Sequence, residues 1–135
     1  MWTFFHKLGS PKWFYEISGK WLPWFAVLSA ILLVVGSVWA LAFAPADYQQ
    51  GNSFRIIYIH VPAALLAQSC FMMMAVSGAI GLIWKMKIAD VFVKAAAPIG
   101  ASFTFLALLT GAVWGKPTWG TWWIWDARLT SMLIL

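Results

Sequence analysis

The chain of 135 residues is 63% hydrophobic and only 10% charged, and its mean hydropathy is +0.82. Soluble domains carry about 25% charged residues, so this composition excludes an ordinary water-soluble domain, and its hydrophobic content excludes a disordered chain. A single cysteine cannot form a disulfide framework, and a net charge of +5 from nine basic residues does not predict a nucleic-acid partner. The composition predicts an integral membrane protein surrounded by lipid.

Three long uncharged intervals predict three membrane-spanning helices, at residues 21–43, 56–84 and 95–113. A helix rises about 1.5 Å per residue, so about 20 residues cross the hydrocarbon core of a bilayer. Each interval is long enough to do so. We therefore predict an all-α polytopic helix bundle that forms a single membrane domain over residues 1–135.

The segment before the first span, residues 1–20, is predicted to form a short interfacial helix on the cytoplasmic surface of the membrane. Trp13, Phe14 and Ile17 recur at helical spacing, while lysines occupy another face. The apolar stretch that follows is longer than the roughly 7–15 apolar residues of a cleavable signal peptide. We therefore expect the first span to remain as a membrane anchor.

The last residues, 129–135, are predicted to be the start of a fourth membrane helix. They form an apolar run after Arg128, but seven residues cannot cross a bilayer. We therefore expect the sequence to be an N-terminal part of a longer protein.

The distribution of lysine and arginine predicts which loops face the cytoplasm. Six of the nine basic residues lie before the first span or in the loop 85–94, whereas three lie in the loops 44–55 and 114–128. Because cytoplasmic loops are enriched in basic residues, the N-terminus and loop 85–94 are predicted to be cytoplasmic and the other two loops to face outward. The inner group is Lys7, Lys12, Lys20, Lys85, Lys87 and Lys94, and the outer group is Arg55, Lys116 and Arg128.

His60 is a candidate metal ligand near the outer end of the second span. Ionisable side chains in a membrane span are costly and commonly mark a site, and a neutral imidazole can ligate a metal. Pro62 perturbs the helix beside it. The alanines at 63, 64 and 67 give this face room for a neighbouring helix or for a flat ring. The alternative is an interfacial histidine that hydrogen-bonds to a loop carbonyl.

The loop 114–128 is the strongest feature of the sequence, because it holds five of the eleven tryptophans. An aromatic belt at the membrane surface needs fewer indoles, whereas five on one loop can form a platform for a large planar apolar ligand. Gly115, Pro117 and Gly120 favour a shaped turn over a single helix. The candidate ligand-binding indoles are those of Trp114, Trp119, Trp122, Trp123 and Trp125.

Charged groups on the same outer side complete a candidate haem site. Asp126 and Arg128 are two residues apart and would not share a helical face. Either one orients the other, or the Arg128 guanidinium reaches a ligand carboxylate. A haem ring would rest on the indoles, with its iron on His60 and its propionates near the cations, which include Arg55 and Lys116.

The tryptophan-rich segment resembles the WWD signature of haem-handling membrane proteins. Residues 114–130, with the sequence WGKPTWGTWWIWDARLT, carry that signature. Residues 44–52 (APADYQQGN) and 55–64 (RIIYIHVPAA) resemble the first outer loop and the start of the second helix in the haem exporter C family of bacterial cytochrome c maturation. The resemblance extends over the whole chain.

That resemblance implies a six-helix protein of the bacterial inner membrane, multi-pass, with a cytoplasmic N-terminus. Such proteins bind haem b transiently and without covalent attachment at the periplasmic face, between two outer histidines. They deliver it to a periplasmic haem chaperone, together with ABC-transporter-type subunits and a small membrane subunit. Of the two family histidines, His60 is present, and the second would lie beyond Leu135.

Two other functions remain open alongside this binding and transfer role, which involves no enzymatic chemistry. A membrane b-type cytochrome that transfers electrons needs histidine pairs buried within the bundle, and this sequence has one histidine at the rim of a span. A small transporter normally carries polar residues near the membrane midplane, and these spans have few. The sequence therefore favours a haem-handling protein.

Overall fold

The computed structural model describes residues 10–135, and within them it is built from α-helices with no strand. A π-helical turn extends the first helix, and a 3-10 helix leads into the second. The elements are α1 (Pro11–Val38), the π turn (Trp39–Phe43), the 3-10 helix (Asn52–Ile56), α2 (Ile57–Trp84), α3 (Lys87–Trp119) and α4 (Ala127–Ile134).

Three helical units are long and apolar enough to span a membrane: Pro11–Phe43, Asn52–Trp84 and Lys87–Trp119, each of 33 residues. The predicted all-α, polytopic membrane fold is thereby confirmed. The helices extend beyond the apolar intervals seen in the sequence, and α3 begins at Lys87 instead of residue 95. Charged residues are excluded from the hydrocarbon core but not from a helix, so charge delimits the apolar stretch and not the helix itself.

The first span differs from its prediction at its N-terminal end. Instead of a separate interfacial helix before residue 21, a single helix begins at Pro11, the first helical position, where proline is well tolerated. Pro23 lies inside this helix without ending it. The part of the predicted interfacial segment at residues 1–9 lies outside the described residues.

The hairpin of α2 and α3 forms the core of the bundle. Lys85 and Met86 connect the two helices, and Lys85 adopts a left-handed conformation with φ 52°. The helices approach closely because small residues line their contact: a Cβ at Gly100 would lie 3.3 Å from the Cys70 Sγ atom. The buried residues at this contact are Ala63, Ala67 and Cys70 of α2 and Ala89, Ala96, Gly100, Thr104 and Ala107 of α3.

Helix α1 is tied to this hairpin at one end. No residue of Pro11–Val38 is buried. After the π turn, the Arg55 guanidinium donates from Nε to the Ala44 carbonyl at 2.8 Å and from Nη1 to the Leu41 carbonyl at 3.0 Å. Arg55 thus satisfies carbonyls that the end of the helix leaves free. The charge distribution predicts that this end of the bundle, with residues 44–56 and 114–127, faces outward, and it is called the outer end below.

Candidate functional site

His60 is held at the outer end by hydrogen bonds to α3. Its Nδ1 atom lies 2.9 Å from the Ala107 carbonyl oxygen and 3.1 Å from the Thr110 Oγ1 atom. A carbonyl can only accept, so Nδ1 carries the hydrogen and donates it. The Thr110 hydroxyl itself donates to the Leu106 carbonyl at 2.7 Å, which leaves its oxygen free to accept from the imidazole. In the neutral ring, Nε2 therefore keeps its lone pair and can bind a metal.

The imidazole ring of His60 lies directly against Gly111. A Cβ built on Gly111 would be 2.9 Å from the His60 Cε1 atom and 3.4 Å from Nδ1. Such distances leave no room for a side chain, so the glycine lets the ring approach the α3 backbone.

The alanine face below His60 is covered by α3. Ala63 is 3% exposed and Ala67 is 0% exposed. In the structure this alanine face packs against the neighbouring helix α3. A planar ligand of His60 must therefore approach from the outer side, away from these alanines.

Trp114 joins His60 to the first outer loop. The two rings contact edge to face, with centroids 5.7 Å apart and an interplanar angle of 61°. The indole Nε1–H of Trp114 donates to the Gln50 Oε1 atom at 2.8 Å. Trp114 thus bridges the candidate iron ligand and the loop that follows α1.

The tryptophan-rich segment is helical at its start, which corrects the prediction that a shaped turn occupies 114–128. Helix α3 continues to Trp119, because Pro117 removes only one backbone donor near the helix end. The turn glycine is Gly120, with φ 75°, whose N–H donates to the Lys116 carbonyl at 3.0 Å. Gly115 has another role: a Cβ there would lie 2.7 Å from the Trp119 ring.

The remaining indoles are distributed over the outer surface. Trp122 is 57% exposed and Trp125 76% exposed, while Trp119 packs on Gly115 and is 46% exposed. Trp123 contacts Trp125 edge to face, at a centroid distance of 5.6 Å. The Nε1 atom of Trp123 is buried and has no hydrogen-bond partner among the described residues. Exposed indole faces are therefore available at this end.

Each outer cation already has a partner in the structure. The Lys116 Nζ atom donates to the Gly120 carbonyl at 2.8 Å and lies 5.7 Å from the Trp122 ring centroid. Arg55 is half-buried on the carbonyls that end α1. Arg128 forms an ion pair with Asp126 at 2.8 Å, and its side chain is 81% exposed.

Asp126 caps the start of α4 and orients Arg128. Its Oδ1 atom accepts the backbone N–H of Leu129 at 2.8 Å, and its Oδ2 atom accepts from Arg128. The Leu129 N–H and then the Arg128 guanidinium hold the pKa of the Asp126 carboxyl below its usual value. In the structure Arg128 is paired with Asp126.

Within residues 10–135, no group of three or more histidine, cysteine, aspartate or glutamate side chains could hold a metal ion. A haem iron is already bound by four ring nitrogens, so the protein needs to supply only axial ligands. A single imidazole can supply one of these axial ligands.

A family model described as heme exporter protein C matches residues 4–135. The chain belongs to the heme exporter protein C family. Heme exporter protein C of Escherichia coli K12 is 58% identical over 135 residues, which are 100% of this chain and 55% of that protein. The Haemophilus influenzae protein is 56% identical with the same coverage, and the Bradyrhizobium diazoefficiens protein is 52% identical over 95% of this chain and 48% of its own length. The chain thus spans about half the length of these heme exporter relatives.

Four residues at the site were not predicted from the sequence. Gln50 gave no signal, because its contact joins a loop to a residue of α3 that is 64 positions away in the chain. The three others share one face of α3 with Trp114, at the i, i+3, i+4 and i+7 spacing of a helix. That spacing could have revealed them: they are Ala107, Thr110 and Gly111.

Proposed function

We propose that this heme exporter family chain forms the haem-handling site of a bacterial inner-membrane protein that exports or presents haem at the periplasmic face. The observation that carries the proposal is the His60 imidazole, which donates its Nδ1 hydrogen to the Ala107 carbonyl at 2.9 Å. This bond fixes the tautomer in which Nε2 is free to ligate iron. The similarity to heme exporter protein C of Escherichia coli K12 supports haem as the cargo.

His60 acts as one axial ligand of the haem iron in this proposal. A hydrogen bond from Nδ1–H to a carbonyl orients an imidazole and raises the basicity of its other nitrogen. His60 is the only histidine in residues 10–135, so this part of the chain supplies one axial position and the other ligand comes from elsewhere. Such partial ligation suits a cargo that must be released.

The indoles bind the porphyrin ring. Trp122 and Trp125 have exposed faces, and stacking of aromatic rings contributes about 0.5–1.5 kcal/mol per pair beyond area burial. Trp114 contacts His60 from the side, and Trp119 and Trp123 fix the shape of the segment.

Arg128 is the cation best suited to a haem propionate. Its ion pair with Asp126 is exposed, and exposed ion pairs contribute little to stability, so a ligand carboxylate can replace Asp126. The guanidinium fork also fits a carboxylate in a two-pronged geometry. Lys116 lies nearby as a second cation. Arg55 donates two hydrogen bonds to the Leu41 and Ala44 carbonyls, which follow α1 in the chain. We assign Arg55 to holding this end of α1 at the site.

Delivery to partners follows from the same assignment. We propose that haem b, bound without a covalent bond, passes to a periplasmic haem chaperone, with ABC-transporter-type subunits and a small membrane subunit in the same system. The N-terminus is cytoplasmic and the tryptophan-rich segment periplasmic in this arrangement. No bond-making step on a substrate is part of it, and the one histidine within residues 10–135 does not support electron transfer between paired haems.

The test is the absorbance of the purified complete protein and of its His60→Ala variant. The complete protein should show a Soret band, and the variant should retain less haem, with an altered spectrum and unchanged expression. Added imidazole should partly restore the parent spectrum in the variant, because it occupies the vacated axial position. A parent protein without a Soret band, from cells that make haem normally, would overturn the proposal.

A further inference from the structure

The first outer loop contains one side chain that reaches the haem-handling site. Gln50 accepts the Trp114 Nε1–H at 2.8 Å, and Trp114 contacts the His60 ring with centroids 5.7 Å apart. An indole nitrogen is only a donor, so Gln50 satisfies its whole hydrogen-bonding capacity.

The backbone of Gln50 is fixed on both sides. Its N–H donates to the Asp47 Oδ2 atom at 2.9 Å, and its carbonyl accepts from the Ser53 hydroxyl at 2.6 Å. With both backbone groups fixed, only side-chain torsions remain to be ordered when Gln50 binds the indole. The loop therefore presents this amide in a defined direction.

The loop as a whole is also anchored to the bundle. Asp47 and Gly51 exchange two backbone hydrogen bonds, at 3.2 and 2.9 Å, which close the loop on itself. Gly51 has φ 58°, a conformation that glycine adopts without strain. Arg55 binds the Ala44 carbonyl at the start of the loop. Gln50 is thus the tip of an ordered loop and not of a free one.

We propose that Gln50 is a positioning residue of the haem site, because it orients the Trp114 indole and, through that ring, the His60 imidazole. This inference rests on the proposed haem-binding function. It assigns to residues 44–51 a role in setting the angle at which His60 meets the iron. Gln50 touches no haem atom in this assignment and acts through Trp114.

Gln49 is a matched control for Gln50. Its backbone N–H also donates to the Asp47 Oδ2 atom at 2.9 Å, and it is exposed like Gln50. The bond to Trp114, however, is made by the Gln50 side chain. The replacements Gln50→Leu and Gln49→Leu therefore remove similar groups from the same loop, and only the first removes the acceptor of the indole. Gln50→Glu retains an acceptor at the same position.

The experiment uses the complete protein labelled with 5-fluorotryptophan, with the Trp114 signal assigned by its loss in Trp114→Phe. In the haem-free protein, Gln50→Leu should shift the Trp114 fluorine resonance, and Gln49→Leu should not. In the haem-bound protein, Gln50→Leu should change the Soret and low-spin electron paramagnetic resonance signals. It should also lower haem affinity by about 2- to 10-fold, the scale of one lost hydrogen bond. Gln50→Glu should restore the Soret and electron paramagnetic resonance signals of the parent protein.

Two results would overturn the inference. An unshifted Trp114 resonance in Gln50→Leu would mean that the contact does not order the indole. A shifted resonance with an unchanged haem spectrum would mean that the indole does not orient His60. Failure of the proposed function is a different result, because the parent protein itself would then lack a Soret band.

Discussion

Gly111 lies beneath the His60 imidazole so closely that a Cβ atom there would stand 2.9 Å from the ring carbon Cε1. The histidine and the glycine come from different helices, and their contact sets where the ring sits. The Nδ1 bond to the Ala107 carbonyl holds the ring in that place. The fit between His60 and α3 therefore depends on a missing side chain as much as on a hydrogen bond.

Gly111→Ala should separate haem binding from folding. Alanine favours a helix over glycine by about 1 kcal/mol, so helix propensity predicts a small gain in stability. The added methyl group, however, pushes the anchored imidazole away from the Ala107 carbonyl. We expect a lowered haem affinity and a changed Soret spectrum without a loss of thermal stability.

Gly78→Ala is the control for that substitution, because Gly78 also lies in a membrane helix and its Cβ would meet nothing within 4 Å. Its haem spectrum should match the parent. If Gly111→Ala also leaves the haem spectrum unchanged, His60 does not hold the iron in the position that the structure gives it.

The exposed indoles of Trp122 and Trp125 should contribute to ring binding more than to membrane anchoring. Replacement of both by alanine removes two stacking partners, worth about 1–3 kcal/mol together, or roughly 5- to 150-fold in haem affinity. Haem titration of the purified protein measures this loss. Insertion into the membrane should stay normal.

Trp21 and Trp84 provide the matching pair at the opposite ends of the spans, and they are 59% and 65% exposed. Their joint replacement by alanine should leave haem affinity unchanged. Equal losses from the two pairs would indicate that the outer tryptophans serve as an aromatic belt.

Asp126 should make the start of α4 sensitive to acid. Because the Leu129 N–H and Arg128 lower its pKa, the folded loop favours the charged carboxylate. That stabilisation is fully present above the ordinary aspartate pKa of about 3.9 and is lost as the pH falls through the lower pKa of the folded form. Protection of the Leu129 amide from hydrogen exchange, corrected for intrinsic rates, should therefore decline only below about pH 4.

Asp126→Asn tests the assignment, since asparagine still caps a helix but does not titrate in this range. The acid-dependent decline at Leu129 should disappear in this variant. A decline at the same pH in both proteins would assign the effect to another group.

The predicted orientation can be tested with single cysteines at the two ends of α3. Thr118 and Lys87 are both exposed, and Cys70 is buried. In intact cells whose outer membrane has been permeabilised, Thr118→Cys should react with a membrane-impermeant thiol reagent. Lys87→Cys should react only after the inner membrane is lysed. The reverse pattern would invert the topology and place the tryptophan-rich segment in the cytoplasm.

The sequence by itself determined the class of fold. Long uncharged intervals must become helices in lipid, because every backbone group there has to be satisfied within its own segment. The same local logic identified His60 as a candidate, since an ionisable group in a span is costly. It also predicted a turn from Gly115, Pro117 and Gly120, and of these three the structure has the turn at Gly120. Local chemistry was sufficient for these features because each depends on neighbours within a few positions of the chain.

Only the tertiary structure decided how the site is arranged. The partner of His60 is a main-chain carbonyl 47 positions away, and that of Trp114 is an amide 64 positions away. Main-chain carbonyls carry no residue identity, so the helical spacing that relates Ala107 to Trp114 does not show that the Ala107 carbonyl is the acceptor. Arg55 was predicted beside the ligand, but its donors lie on the carbonyls that end α1. Where a contact joins groups from separate helices, the packing of those helices determines which groups meet. Composition and residue spacing do not specify that packing.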